Sequence, residues 1–180
     1  ASKAQDATRD YVLKLDEKSG EAPLLSVFGG KITTYRRLAE AALEKLQPFF
    51  PAMKAPWTAK STLPGGDFPV NAFAAQVGAL QQKYPFLELK HARRLIRAYG
   101  TRAQRILNNA ASAADLGRRF GPSLTEAEVN YLMDQEWARS AEDIVWRRSK
   151  LGLRMSAAEI AALDDWIAAH RASDERPLRE

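Results

Sequence analysis

Residues 26–36 read Ser26-Val27-Phe28-Gly29-Gly30-Lys31-Ile32-Thr33-Thr34-Tyr35-Arg36, and the spacing of apolar residues changes within them. Before the two glycines, Leu24 to Phe28 is a short apolar run of strand type. After Lys31, Leu38, Ala42 and Leu46 recur at i, i+4 and i+8, which is helical spacing, and Thr33 or Thr34 supplies an N-cap. Strand, glycine turn and helix start therefore follow one another without a linker.

Upstream, Thr8 to Leu15 alternates, with Arg9, Tyr11, Leu13 and Leu15 on one face. Asp16, Glu17, Lys18, Ser19 and Gly20 are turn formers, so the two apolar runs read as a hairpin with a long loop. Two strands alone are marginal in water, so the hairpin is expected to seek a partner edge. Downstream, Pro48 and Pro51 end the helix, and residues 55–68 form a Pro- and Gly-rich linker with Trp57 and Leu63 as expected anchors onto a core.

The remainder reads as helices counted by their caps and stops. Asn71 opens one to Lys83, and Leu87 to Tyr99 ends at Gly100, a natural left-handed stop. Thr101 and Ser112 open two short ones. Thr125 with Glu128, Ser140 with Asp143 and Ser156 with Glu159 are three capping boxes, opening helices to about Arg139, Lys150 and Arg171. Trp137, Trp146 and Trp166 are expected to anchor the bundle, and Asp143 with Arg147 to pair along a helix. His91 and His170 are expected at the surface, and Asp164-Asp165, pointing apart, make a poor acid–base couple.

The fold class is thus mainly α, with four segments. Residues 1–54 are the end of a larger core, 55–68 the linker, 69–173 an all-helical domain, and 174–180 a frayed tail. The opening residues lack an initiator Met and resemble the middle of a polar loop, which suggests a piece of a longer chain.

Among 180 residues there is no cysteine, which removes disulfides, thiolate metal sites and Cys nucleophiles together. His91 and His170 lie far apart and outside any zinc spacing, so no metal site is expected. No apolar run is long enough to span a bilayer. The net charge of +5 conceals a polarity. Residues 84–120 hold eight basic and two acidic residues, net +6, and residues 123–180 hold eight basic and twelve acidic, net −4. Arg93, Arg94, Arg97, Arg102 and Arg105 concentrate around Gly100, where only Tyr99 is available for stacking. A solvated face pairing with the acidic helices is the plain reading, docking to anionic lipid headgroups the sharper one, and nucleic acid the least suited.

Chemistry concentrates at Gly29, Gly30 and Lys31. Glycines admit close approach to the backbone, a helix start offers free N–H groups, and Lys31 adds positive charge, a combination suited to a phosphate or the pyrimidine edge of a flavin. Two glycines and a lysine fall short of a complete phosphate loop, so an ordinary strand–turn–helix junction stands beside that reading.

Residues 26–46, SVFGGKITTYRRLAEAALEKL, resemble the C-terminal signature of the FAD-dependent, quinone-reducing glycerol-3-phosphate dehydrogenases. Thr8-Arg9-Asp10-Tyr11, Trp57-Thr58, Leu63-Pro64-Gly65-Gly66, Tyr84-Pro85-Phe86-Leu87, Asp115-Leu116-Gly117, Glu136-Trp137-Ala138-Arg139 and Trp146-Arg147-Arg148-Ser149 follow in that family's order. Ile32 stands where Leu or Trp is frequent. The resemblance implies a helical cap after a flavin- and substrate-binding core. It places Gly29, Gly30, Lys31 and Thr33 at the isoalloxazine edge of FAD, and Arg9 with Lys31 at the substrate.

It also implies oxidation of glycerol 3-phosphate to dihydroxyacetone phosphate, electrons passing to quinone, and a cytoplasmic location peripheral to the inner membrane. No GxGxxG opens a strand–helix unit here, so the ADP half of FAD has no site, and the chain alone is expected to be inactive and flavin-free. The rival readings are a basic helical module binding nucleic acid or anionic membrane, and a structural domain for homo-oligomerisation.

Overall fold

The structure, a computed structural model, describes residues 11–174, with side chains through Arg171. Arg9 and the tail beyond Asp174 lie outside these residues. The chain divides into two compact units, the first ending at Thr62 and the second beginning at Leu63.

In the first unit, β1 (Tyr11–Asp16) pairs antiparallel with β2 (Leu24–Gly29), in the register Tyr11↔Gly29, Leu13↔Val27 and Leu15↔Leu25. The alternation holds: Tyr11, Leu13 and Leu15 are half-buried, and Val12, Lys14 and Asp16 are exposed. Helix α1 (Tyr35–Leu46) packs on both strands and is tied to the turn Thr58–Lys60 by side chains. The Thr58 hydroxyl donates to Glu40, and Arg36 bonds Thr58 at 3.3 Å and Glu40 at 2.8 Å. The Thr58 hydrogen bond is the main reason the Glu40 carboxyl lies below its ordinary range.

None of the described residues of this unit is fully buried. Two strands and one helix have too few layers to enclose a core. Val12, Leu24, Val27, Phe28, Leu43 and Phe50 accordingly remain exposed. Trp57 is 68% exposed and Leu63 63%, so neither is the anchor expected of it.

The second unit holds the core. It comprises α2 (Phe73–Lys83), α3 (Leu89–Tyr99), α4 (Ala103–Leu107), α5 (Glu126–Glu136), a π-helical segment Asp143–Arg148 and α6 (Ala157–Asp174). Leu80, Leu95, Leu107, Leu132, Ile144, Leu163 and Ile167 meet at its centre. A glycine does end α3, but at φ +55° and ψ −132° Gly100 lies outside the left-handed helical region expected of it, and a close approach fixes its identity. A Cβ on Gly100 would lie 1.8 Å from the Gly65 carbonyl oxygen, and one on Gly65 2.2 Å from that of Tyr99. Thr101 N–H donates to Gly65 O at 3.1 Å and its hydroxyl to Asp67, which binds residues 63–67 onto the end of α3.

Among the described residues, side-chain caps open three helical segments, while α1 to α5 start without one. Ser112 with Asp115 and Ser156 with Glu159 form reciprocal capping bonds, and Ser140 with Asp143 does so at 3.2 and 3.3 Å. The segment that follows Ser140 is a π-helix, because Ile144 O accepts both the N–H and the hydroxyl of Ser149, five residues on. Asp143 and Arg147 pair at 2.9 Å as expected. Asn71 caps nothing: it lies inside the turn Val70–Ala72, past the position a capping side chain needs.

Further expectations fail for physical reasons. Glu128 is no capping partner, since its carboxylate is fully buried and held by Arg94 and Tyr99. Arg94 therefore leaves the solvated basic face. Trp137 is 78% exposed, because it ends α5 in the left-handed region at φ +55°, beyond the helix's buried side. Trp146 is also partly exposed and lies across Gly152, where a Cβ would stand 2.6 Å from the indole. Trp166 does pack on the core, edge-on to Phe120 at 5.3 Å and stacked on a half-buried His170 at 4.7 Å. His91, on α3, is half-buried too, beside the charges of Arg94, Glu128 and Arg119.

Candidate functional site

The turn between β2 and α1 is built by backbone conformation. Gly29 has φ +77° and Gly30 +103°, a region that side chains rarely adopt, so both positions call for glycine. At Gly30 a Cβ would also crowd Leu38 at 3.2 Å, so glycine lets α1 close against the strand end. Lys31 is extended, at φ −125° and ψ 147°, and Ile32–Thr34 make one tight turn before α1. The Thr34 N–H and hydroxyl both donate to Lys31 O, at 3.0 and 3.1 Å. Thr34 thus stiffens the turn instead of acting as a side-chain N-cap.

Gly29, Gly30, Lys31 and Thr33 all lie exposed on this turn. A helix start presents N–H groups without intrahelical partners, and the Lys31 ammonium belongs to the same turn. The surface is positive, and at Gly29 and Gly30 no Cβ stands over the backbone. It suits the flat, electron-accepting edge of an aromatic ring or an anionic oxygen.

A second polar constellation lies in the helical unit, and its chemistry is structural. The Arg94 guanidinium donates to both Glu128 oxygens at 2.6 Å and to Ser123 O at 2.7 Å, while the Tyr99 hydroxyl donates to Glu128 Oε1 at 2.7 Å. Burial and the Glu128 charge push the Tyr99 hydroxyl pKa up, so it stays a proton donor. His91 is lowered to about 4, chiefly by burial and then by the Arg94 charge. Sequence reasoning missed this cluster. The available signal was Tyr131 and Leu132, three and four residues after Glu128, which puts the carboxylate on the apolar face of α5.

Residues 56–172 match the protein family described as the C-terminal domain of alpha-glycerophosphate oxidase. The chain belongs to this family. The C-terminal domain of alpha-glycerophosphate oxidase is thus the frame for the helical unit, and curated relatives extend the likeness upstream. The chain is 46% identical over 165 residues to an aerobic glycerol-3-phosphate dehydrogenase of Escherichia coli K12, covering 91% of this chain and 32% of that protein. It is 49% identical over 160 residues to a glycerol-3-phosphate dehydrogenase of Pseudomonas aeruginosa, covering 89% and 31%. A D-erythritol 1-phosphate dehydrogenase of Brucella abortus is 44% identical over 160 residues, covering 89% and 32%. The chain spans about a third of the length of these relatives.

Proposed function

We propose that the chain is the C-terminal region of a flavoprotein that oxidises sn-glycerol 3-phosphate to dihydroxyacetone phosphate, with residues 1–54 completing the flavin- and substrate-binding core, 55–68 a linker and 69–173 a helical cap. One observation carries the reading. The two positive-φ glycines lead directly into Lys31 on an exposed strand–helix turn, in a chain whose relatives include glycerol-3-phosphate dehydrogenases. FAD, when bound, supplies the hydride acceptor. Gly29 and Gly30 let the ring edge reach the backbone, Thr33 adds a hydroxyl, and Lys31 offsets negative charge as it develops there. Arg9 is assigned to the substrate phosphate, a role suited to a guanidinium fork. Quinone is the proposed electron acceptor, and the proposed location is the cytoplasmic face of the inner membrane. Among the described residues no helix is long and apolar enough to cross a membrane.

The erythritol relative narrows what the substrate reading rests on. At 44% identity it stands beside the glycerol enzymes, so the shared region tracks a polyol phosphate rather than its chain length. The experiment is a comparison of Lys31→Met with the parent in the intact enzyme. Flavin content should be retained, and the rate of flavin reduction by glycerol 3-phosphate should fall about 10²-fold. An unchanged reduction rate overturns the role of Lys31, and reduction by D-erythritol 1-phosphate alone overturns the substrate. The 180-residue chain by itself should lack flavin absorbance and turnover.

A further inference from the structure

The cations of residues 84–120 stay largely unneutralised in the fold. Lys90, Arg93 and Arg97 occupy α3 at i, i+3 and i+7 and are all exposed, while Ala92, Leu95, Ile96 and Tyr99 face the core. Arg97 is steadied over the Phe73 ring at 5.9 Å, and Arg105 is exposed on α4. Among the described residues none of these four forms an ion pair, although Glu88 is exposed at the start of the same helix. Among the described residues, the acidic half of the chain contributes a single ion pair to α3, from Glu128 to Arg94. What remains is a cationic stripe along about 10 Å of helix, with like charges one turn apart that oppose the helix until something neutralises them.

We propose that this stripe docks an acidic segment of a partner protein, with carboxylates repeating at about one helical turn. Guanidinium forks favour carboxylate oxygens bidentately, and two of the three stripe residues are arginine. The apolar face of α3 is spent on the core, which leaves only Leu89, too little apolar surface for the helix to lie in a bilayer interface. Tyr99 is buried, so α3 presents no aromatic ring on which bases could stack. Exposed Leu89 at one end of the stripe gives a protein partner an apolar contact.

The test measures fluorescence anisotropy of a labelled 20-residue poly-L-glutamate on adding the 180-residue chain at low salt, with Arg93→Gln/Arg97→Gln beside Lys45→Gln/Lys54→Gln. The stripe variant should keep its melting temperature and bind about tenfold more weakly, while the equal-charge control binds as the parent does. Amide shift changes on titration should centre on α3. The proposal is overturned by any of three results: no binding at low salt, equal weakening in both variants, or tighter binding to single-stranded DNA or phosphatidylglycerol vesicles than to the peptide.

Discussion

Replacing Glu128 with Gln separates two accounts of that residue by magnitude. Were it the second half of a capping box with Thr125, its loss would cost about 1 kcal/mol, the usual value of a cap. The structure instead buries the carboxylate completely, between a guanidinium giving two bonds at 2.6 Å and a tyrosine hydroxyl at 2.7 Å. Removing its charge leaves Arg94, whose side chain is 19% exposed, without a counter-ion, and one-sided loss of such a pair costs about 3–5 kcal/mol. At about 4 °C or more per kcal/mol for a domain near this size, Glu128→Gln should lower the melting temperature by well over 10 °C. Far-UV circular dichroism and urea unfolding read both quantities. Arg94→Met/Glu128→Leu, which removes both charges, should recover most of the loss, since apolar replacement of a whole buried pair is often neutral or better. The reasoning is refuted if Glu128→Gln costs about 1 kcal/mol or less, or if the losses in the double variant simply add.

His91 gives the pH dependence. Its folded pKa, about 4, lies below the ordinary 6.5, so its stabilising effect is complete above about pH 6.5 and is lost as pH falls through 4. Urea midpoints between those values should therefore rise with pH, and His91→Gln should flatten the slope. Gly100→Ala should cost about 3 kcal/mol or more or prevent folding, because its Cβ meets Gly65 O at 1.8 Å. Gly78→Ala on α2, where nothing lies within 4 Å, should stabilise by about 0.5–1 kcal/mol in the same melts. Trp137→Ala should change stability by about 0.5 kcal/mol or less, against about 3 kcal/mol for Trp166→Ala, which loses contacts with Phe120 and His170.

What could be read from sequence was what neighbours in sequence decide. The buried face of the hairpin follows from alternation at Tyr11, Leu13 and Leu15, and the boxes at Ser140 and Ser156 follow from side chains bonding three residues away. The turn at Gly29 to Thr33 was legible for the same reason, since its residues are contiguous. Glu128 was not, because a Thr-x-x-Glu box and a buried carboxylate are spelled alike, and only Arg94, 34 residues away, decides between them. Trp137 was misjudged by residue type, when the backbone at its position turns it outward, and Trp57 was misjudged because its unit encloses no core. The π-helix hides behind an ordinary helical pattern, and only the bonds from Ser149 back to Ile144 O, five residues away, reveal it.

The open apolar faces of the N-terminal unit matter in time as well. The helical unit closes through neighbouring elements, α2 on α3, α3 on α4, α4 on α5, and topologies built from such local contacts fold fast. The hairpin and α1 also close on one another locally, but they bury no described residue fully, so Val12, Leu24 and Phe28 stay on view after closure. During synthesis the hairpin emerges before the helices, and its exposed apolar residues make it a segment a chaperone has reason to hold.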